Sequence, residues 1–204
     1  MLNIYLARHG QDLDNAAGTL NGQRNQPLSK TGISQAKELA QKISSIDIHF
    51  DKIYCSPLLR AKETAEIISR ETGNVFEILD LLIERDYGDM TGKAQSEIME
   101  LCSPDILETN TVTYFLSPPN AETFPDLIVR ANKILAAIKQ IHSDGNILLV
   151  THGDMGKMIY CAYYKLEWAD VLRDFHFGNS DLLLMSPASD YKNMHVIKIK
   201  QHNV

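Results

Sequence analysis

Cysteine is scarce in this chain, with three thiols, Cys55, Cys102 and Cys161, among 204 residues. The number is odd and the spacing matches no metal-ligand pattern, which excludes a disulfide scaffold and a structural zinc module. Reduced thiols in a cytosol are the expectation. Basic charge is also short: 20 Lys and Arg stand against 26 Asp and Glu, a formal net charge of −6. A surface that holds nucleic acid or an anionic membrane carries the opposite excess. Neither is an expected partner, and any anion must be gripped by a local cluster of cations. No apolar run reaches the length that spans a bilayer, and the amino terminus enters directly on strand-like residues without a secretory pattern. A soluble cytoplasmic protein is therefore expected. Internal repeats and low-complexity tracts are absent too. What is present is a 44% hydrophobic composition at a length that suits one domain with a sizeable core.

The stretch 3–10, NIYLARHG, organises the rest. Its apolar run delivers an Arg-His pair and then breaks at glycine, the pattern of a strand covered on both faces. Loop composition follows through Asn15, Gly18, Asn21, Gly22, Asn25 and Pro27. Ser29 is the expected N-cap of a helix with Ile33, Ala36, Leu39, Ala40 and Ile43 as its buried stripe. Residues 52–56 read as a strand, and Ser56-Pro57 as the N-cap and first residue of a helix that runs to about Arg70. Further strands are expected at 76–79, 146–151, 181–185 and 194–200, and helices at 122–142 and after Gly153. Such alternation predicts an α/β fold, a three-layer sandwich with a mostly parallel central sheet flanked by helices. Between 94 and 125, Pro104, Pro118 and Pro119 interrupt the pattern, and an insertion or lid is expected there. The Tyr-rich stretch 158–164 is expected to be core, with a homodimer face as the alternative.

Three strand ends carry chemistry: Arg8-His9-Gly10, Ser56 with Arg60 just beyond, and His152-Gly153. In an open parallel sheet those ends lie together in the crevice where ligands bind. Two arginines and two histidines in one place repel one another and resist burial unless an anion lies between them. A phosphoryl group suits: guanidinium forks and helix N-termini receive its oxygens, and a neutral imidazole can attack phosphorus. Glu84, in the remaining polar break, is the candidate proton donor. Taken singly, His9 or His152 reads as a satisfied histidine, and Glu84-Arg85 as a surface ion pair. Tyr87, Tyr114 and Phe115 are candidates to line the pocket, although packing is the commoner use of an aromatic.

These residues resemble the histidine phosphatase superfamily, which has the phosphoglycerate mutase-like fold. The resemblance rests on Arg8-His9-Gly10 with Asn15, on Gly22 through Leu28, on Thr31-Gly32 to Ala36, and on Ser56-Pro57-Leu58 with Arg60-Ala61 and Thr64-Ala65. It continues through Glu84-Arg85, Tyr87-Gly88 and Thr151-His152-Gly153. It implies His9 as a nucleophile that becomes phosphohistidine, with Arg8, Asn15, Arg60, His152 and Gly153 around the phosphoryl group. It further implies Glu84 as general acid and then base, and neither metal nor other cofactor. Two positions depart from the family pattern. Asp12 stands where Ser or Thr is usual, and a carboxylate there repels substrate unless it is paired or turned away. Ala121-Glu122-Thr123 replaces Gly-Glu-Ser, keeping a hydroxyl for capping.

One sequence feature bears on hydrolysis against mutase-type transfer. Residues 94–129 contain no Lys or Arg, yet include Glu97, Glu100, Asp105, Glu108, Glu122 and Asp126. A mutase must grip a second anionic group and shield its intermediate from water. Phosphohydrolysis of a small phosphorylated metabolite, or of a phosphoprotein, is therefore the expected activity, with a cofactor-dependent phosphoglycerate mutase-type phosphotransferase and a non-catalytic phosphate-binding module as the alternatives. Arg24, Arg85 and Lys93 remain as cations that could serve a doubly charged substrate.

Overall fold

Alternate residues of the first strand enter different cores. In β1 (Leu2–Arg8), Ile4 and Leu6 pack into one apolar cluster and Tyr5 and Ala7 into another. Strand β6 (Gly145–Thr151) repeats the division, with Ile147 and Leu149 on one side and Leu148 and Val150 on the other. A strand's side chains point alternately up and down, so the sheet is covered on both faces. Each fully buried Leu or Ile contributes roughly 1.5–3 kcal/mol.

A computed structural model describes residues 1–201. Its main sheet has the order β3-β2-β6-β1-β7-β8, adding β2 (Lys52–Cys55), β3 (Phe76–Ile78), β7 (Leu182–Met185) and β8 (His195–Ile197). The first four strands in that order are parallel; β7 and β8 complete the edge antiparallel. Helices α2 (Lys30–Ser45) and α3 (Leu59–Thr72) cover one face with Leu39, Ala40, Ile43, Ala61, Ala65 and Ile68. Helices α5 (Phe124–Ile141) and α6 (Gly153–Tyr164) cover the other. The result is an α/β three-layer sandwich with a mostly parallel central sheet.

Local signals explain most boundaries. The Ser29 hydroxyl accepts from the Gly32 N–H at 3.0 Å and starts α2. Thr123 caps α5, its hydroxyl accepting from the Asp126 N–H while the Asp126 carboxylate accepts from the Thr123 N–H, a reciprocal capping box. The hydroxyl kept at that departure from the family pattern is thus in use. Glycine is required where β1 meets α2: a Cβ on Gly10 would lie 2.4 Å from the Gly32 carbonyl oxygen, and one on Gly32 would lie 1.9 Å from that of Gln11.

Several expectations are corrected. Helix α3 begins at Leu59: the Ser56 Oγ, 2.6 Å from His152 Nε2, accepts from the Leu58 N–H at 3.3 Å, and the Leu59 N–H is received by Asn25 Oδ1 at 2.7 Å. The loop after Gly10 contains a short helix, α1 (Leu13–Ala17), capped by Asp12. Ile33 is exposed, one turn before the stripe reaches the core. Segment 94–125 holds α4 (Ile98–Cys102) and a separate hairpin of β4 (Ile106–Glu108) and β5 (Thr113–Phe115). The sequence pattern did not indicate α7 (Trp168–Asp174). In the Tyr-rich stretch Met158 to Cys161 are buried, whereas Tyr163 and Tyr164 are half-buried. Among the described residues no helix is long and apolar enough to cross a membrane, and Cys55, Cys102 and Cys161 are free thiols. His202 lies outside the described residues.

Candidate active site

Strand register brings the two histidines together. β1 and β6 pair in parallel from Leu2 with Gly145 to Arg8 with Thr151, so His9 and His152 leave the sheet side by side. Their ring centroids are 5.0 Å apart. Ser56, at the end of β2, reaches the same place: its Oγ lies 2.6 Å from His152 Nε2.

His9 is held in one tautomer. Its Nδ1 lies 2.6 Å from the Gly10 carbonyl oxygen, which can only accept, so Nδ1 carries the proton and Nε2 presents a lone pair. The His9 carbonyl accepts from Asn179 Nδ2 and the Ser180 N–H, and Thr64 Oγ1 accepts from the Gly10 N–H. Burial, then the Arg60 and Arg8 charges, holds the His9 pKa well below its ordinary value. His152 is depressed likewise, chiefly by burial and Arg60. Both rings are therefore neutral at physiological pH, and a neutral imidazole is the nucleophilic form.

Arg60, in the first turn of α3, is fully buried and clamped from behind. Nη1 donates to the Arg24 carbonyl and Nη2 to the Gly22 carbonyl, both at 2.7 Å. Nε is 3.2 Å from His9 Nε2, from His152 Nδ1 and from Asp12 Oδ2. The loop rich in Asn and Gly thus supplies the carbonyls that fix this guanidinium. Arg8 is fixed by one hydrogen bond, Nη1 to the Phe177 carbonyl at 2.8 Å, and its buried Nε has no partner among the described residues. Its guanidinium lies across Gly153, where a Cβ would stand 3.4 Å from Cζ.

Glu84 is buried against the N-terminus of α6. Oε1 accepts from the Arg85 and Met155 N–H groups at 2.8 and 3.0 Å, and Oε2 from that of Asp154 at 3.3 Å. Burial and the neighbouring Asp154 charge raise its pKa, outweighing those N–H donors. A carboxyl so tuned holds a proton that it can give to a leaving oxygen. The surface-pair alternative for Glu84-Arg85 is overturned. Arg85 is buried, pairs with Asp154 at 3.2 Å, and sits 4.3 Å from both the Phe115 and Phe124 rings.

A cavity of about 750 Å³ opens over these groups. Arg8, His9, Asn15, Glu84 and Gly153 line it, as do Tyr87, Tyr114 and Phe115. Arg60 and His152 stand behind His9 and are not part of the lining. Asp12, the departure that raised the question of repulsion, does not line the cavity. It is fully buried, paired with Arg60, and accepts from the Asn15 N–H at 2.6 Å and from Asn21 at 2.7 Å. Arg24 is tied to Asp14 at 2.8 Å. Sequence reasoning missed Lys157 and Asp154, which also line the cavity. A usable signal was present: Gly153 and Lys157 are four apart on a helix and share a face. Among the described residues no group of three His, Cys, Asp or Glu side chains is placed to hold a metal ion.

The model of branch 1 of the histidine phosphatase superfamily matches residues 4–199. The chain belongs to the histidine phosphatase superfamily. Within this superfamily it is similar to a 2,3-bisphosphoglycerate-dependent phosphoglycerate mutase of Rhizobium etli, at 28% identity over 84% of this chain and 85% of the relative. It is also similar to phosphoserine phosphatase 1 of Hydrogenobacter thermophilus, at 30% identity over 87% and 82% of the two chains. A solved mycobacterial glucosyl-3-phosphoglycerate phosphatase has the same fold, with a TM-score of 0.77 and 23% identity over 91% and 93% of the chains. The matched relatives thus include both a mutase and a phosphatase.

Proposed function

We propose that this superfamily member is a phosphomonoesterase that needs no metal and acts on a small phosphorylated metabolite. The observation that carries it is His9: a neutral ring whose Nδ1 proton is held by the Gly10 carbonyl and whose unprotonated Nε2 is steered by the Arg60 Nε at 3.2 Å, in a cavity that also holds a high-pKa carboxyl, Glu84. His9 Nε2 forms a bond to phosphorus as the ester P–O bond breaks, and Glu84 gives its proton to the leaving oxygen. The resulting Glu84 carboxylate then takes a proton from water, whose oxygen displaces His9 from phosphorus and releases phosphate. Arg8, Asn15 and the N-terminus of α6 at Gly153 line the cavity and oppose the oxyanion charge in both steps, while Arg60 and His152, behind the His9 ring, hold it in place.

Hydrolysis in preference to transfer is supported by the wall contributed by segment 94–125. Gln95, Ser96 and residues 111–115 line the cavity there, and no cation is among them. We read this segment as the lid. A mutase-type transfer is favoured by one observation, the cation Lys157 on the opposite wall. The deciding experiment measures phosphate release from p-nitrophenyl phosphate, phosphoglycerates, sugar phosphates, nucleotides and phosphotyrosine, with EDTA present and the His9→Ala protein as control. Release that EDTA spares and the substitution abolishes is expected. Isomerised phosphoester without inorganic phosphate would instead establish the mutase.

A further inference from the structure

The cavity has a second charged feature that phosphoryl transfer itself does not use. Lys157 lines it and is only 7% exposed. Its Nζ donates to the Tyr114 hydroxyl and lies 5.0 Å from the Tyr114 ring centroid. Among the described residues Lys157 makes no ion pair, because the nearby Asp154 carboxylate is taken by Arg85. Arg85 in turn is confined between aromatic rings and donates to the Phe115 carbonyl at 3.1 Å. An ammonium has three donors, and the Tyr114 hydroxyl takes one of them. Lys157 therefore has donors to offer an anion in the cavity.

Its position sets the distance to the phosphoryl end. Arg8 packs across Gly153, and Lys157 lies four residues further along the same face of α6, an axial rise of about 6 Å. That is the scale separating the two anionic groups of a two- or three-carbon phosphorylated acid. One ammonium and one phenol match a singly charged carboxylate better than a second phosphate, and the facing wall, residues 94–129, has no Lys or Arg to add. We propose that Lys157 and the Tyr114 hydroxyl form a carboxylate subsite, so that the preferred substrates are short phosphorylated carboxylic acids. The proposal rests on the phosphomonoesterase function above and adds its substrate class.

The test uses matched pairs that differ only in the carboxylate: 3-phosphoglycerate against glycerol 3-phosphate, and phosphoserine against phosphoethanolamine. The wild-type protein is expected to prefer the acid of each pair in kcat/KM. In Lys157→Met that preference falls about tenfold or more, carried mainly by KM, as loss of a charge-assisted hydrogen bond does. Lys157→Arg restores part of it. A wild-type readout guards against a variant that fails to fold. Burial lowers the Lys157 pKa to about 8, so the acid preference should decline as pH rises above about 8. The other charged groups facing Lys157 are Asp154, Arg8 and Glu84, with Tyr114, raised by burial, and His176, lowered by burial, titrating on either side. Arg8 and Glu84 serve the phosphoryl end common to both members of a pair and cancel in the ratio, and Tyr114, raised by burial, keeps its proton over the range in which Lys157 titrates.

Equal kcat/KM within each pair, or a preference unmoved by Lys157→Met and by pH, would overturn the subsite while leaving hydrolysis intact. A preference for bisphosphates over both acids would also overturn it. Absence of turnover on p-nitrophenyl phosphate would count against the phosphomonoesterase function instead.

Discussion

Asp12 and Arg60 form a fully buried ion pair, with Oδ2 3.2 Å from Nε. The carboxylate does three jobs at once: it caps α1 through the Asn15 N–H, receives Asn21, and neutralises the guanidinium that stands behind His9. Burial raises its pKa, and the Arg60 charge offsets part of that rise. A carboxylate at this point therefore balances a site otherwise crowded with cations, and does not repel substrate from the cavity wall.

Removing Asp12 leaves a buried arginine without its counter-charge. Asp12→Ala is expected to lower the unfolding free energy by about 3–5 kcal/mol, and Asp12→Thr, which retains a capping oxygen, by less. Urea unfolding measures both. An alanine variant within about 0.5 kcal/mol of the wild type, the range of a surface change, would show that the pair contributes nothing.

The depressed histidines tie stability to pH. A folded-state pKa below the unfolded value means that the unfolded chain binds more protons, so this stabilisation is complete above about pH 6.5 and is lost as pH falls. Glu84, with a raised pKa, works in the opposite sense, which makes a difference measurement necessary. Between pH 6.5 and 5 the wild type should lose stability faster than His9→Gln does, the difference in slope rising toward about 1.4 kcal/mol per pH unit at the lower end. Parallel pH profiles for the two proteins would mean that His9 takes up its proton as readily in the folded state as in the unfolded one.

Glu84→Gln separates acid catalysis from binding. Alkyl phosphates, whose leaving oxygen needs a proton, should slow by about 10²- to 10⁴-fold. p-Nitrophenyl phosphate should slow much less in the phosphorylation step. Single-turnover kinetics reads that step directly, and equal losses on both esters would remove Glu84 from the acid role.

How much of this was legible beforehand follows from where each signal resides. The strand ends carrying Arg8, His9 and His152 could be read because apolar runs and glycine breaks are local. Glu84 stood out as a polar break in an apolar context. The start of α3 could not be read, since Ser56-Pro57 carries a good local signal, yet the Leu59 N–H is received by Asn25, 34 residues away, and the Ser56 hydroxyl is shared with His152, 96 residues away. Asp12 was equally opaque: its pairing depends on Arg60, which only the packing of α3 against the strand ends delivers. Arg85 looked like a surface charge because aromatic rings from distant segments, Phe115 and Phe124, enclose it. Lys157 shares a helical face with Gly153, but nothing local says that this face borders a cavity.

The central claim is a bond between phosphorus and His9 Nε2. Rapid quenching of the wild-type protein during turnover of a ³²P-labelled ester should trap label that is lost in acid, stable in alkali, and mapped to the peptide bearing His9. His9→Ala should carry none. Label that survives acid, or that persists in His9→Ala, would contradict the account.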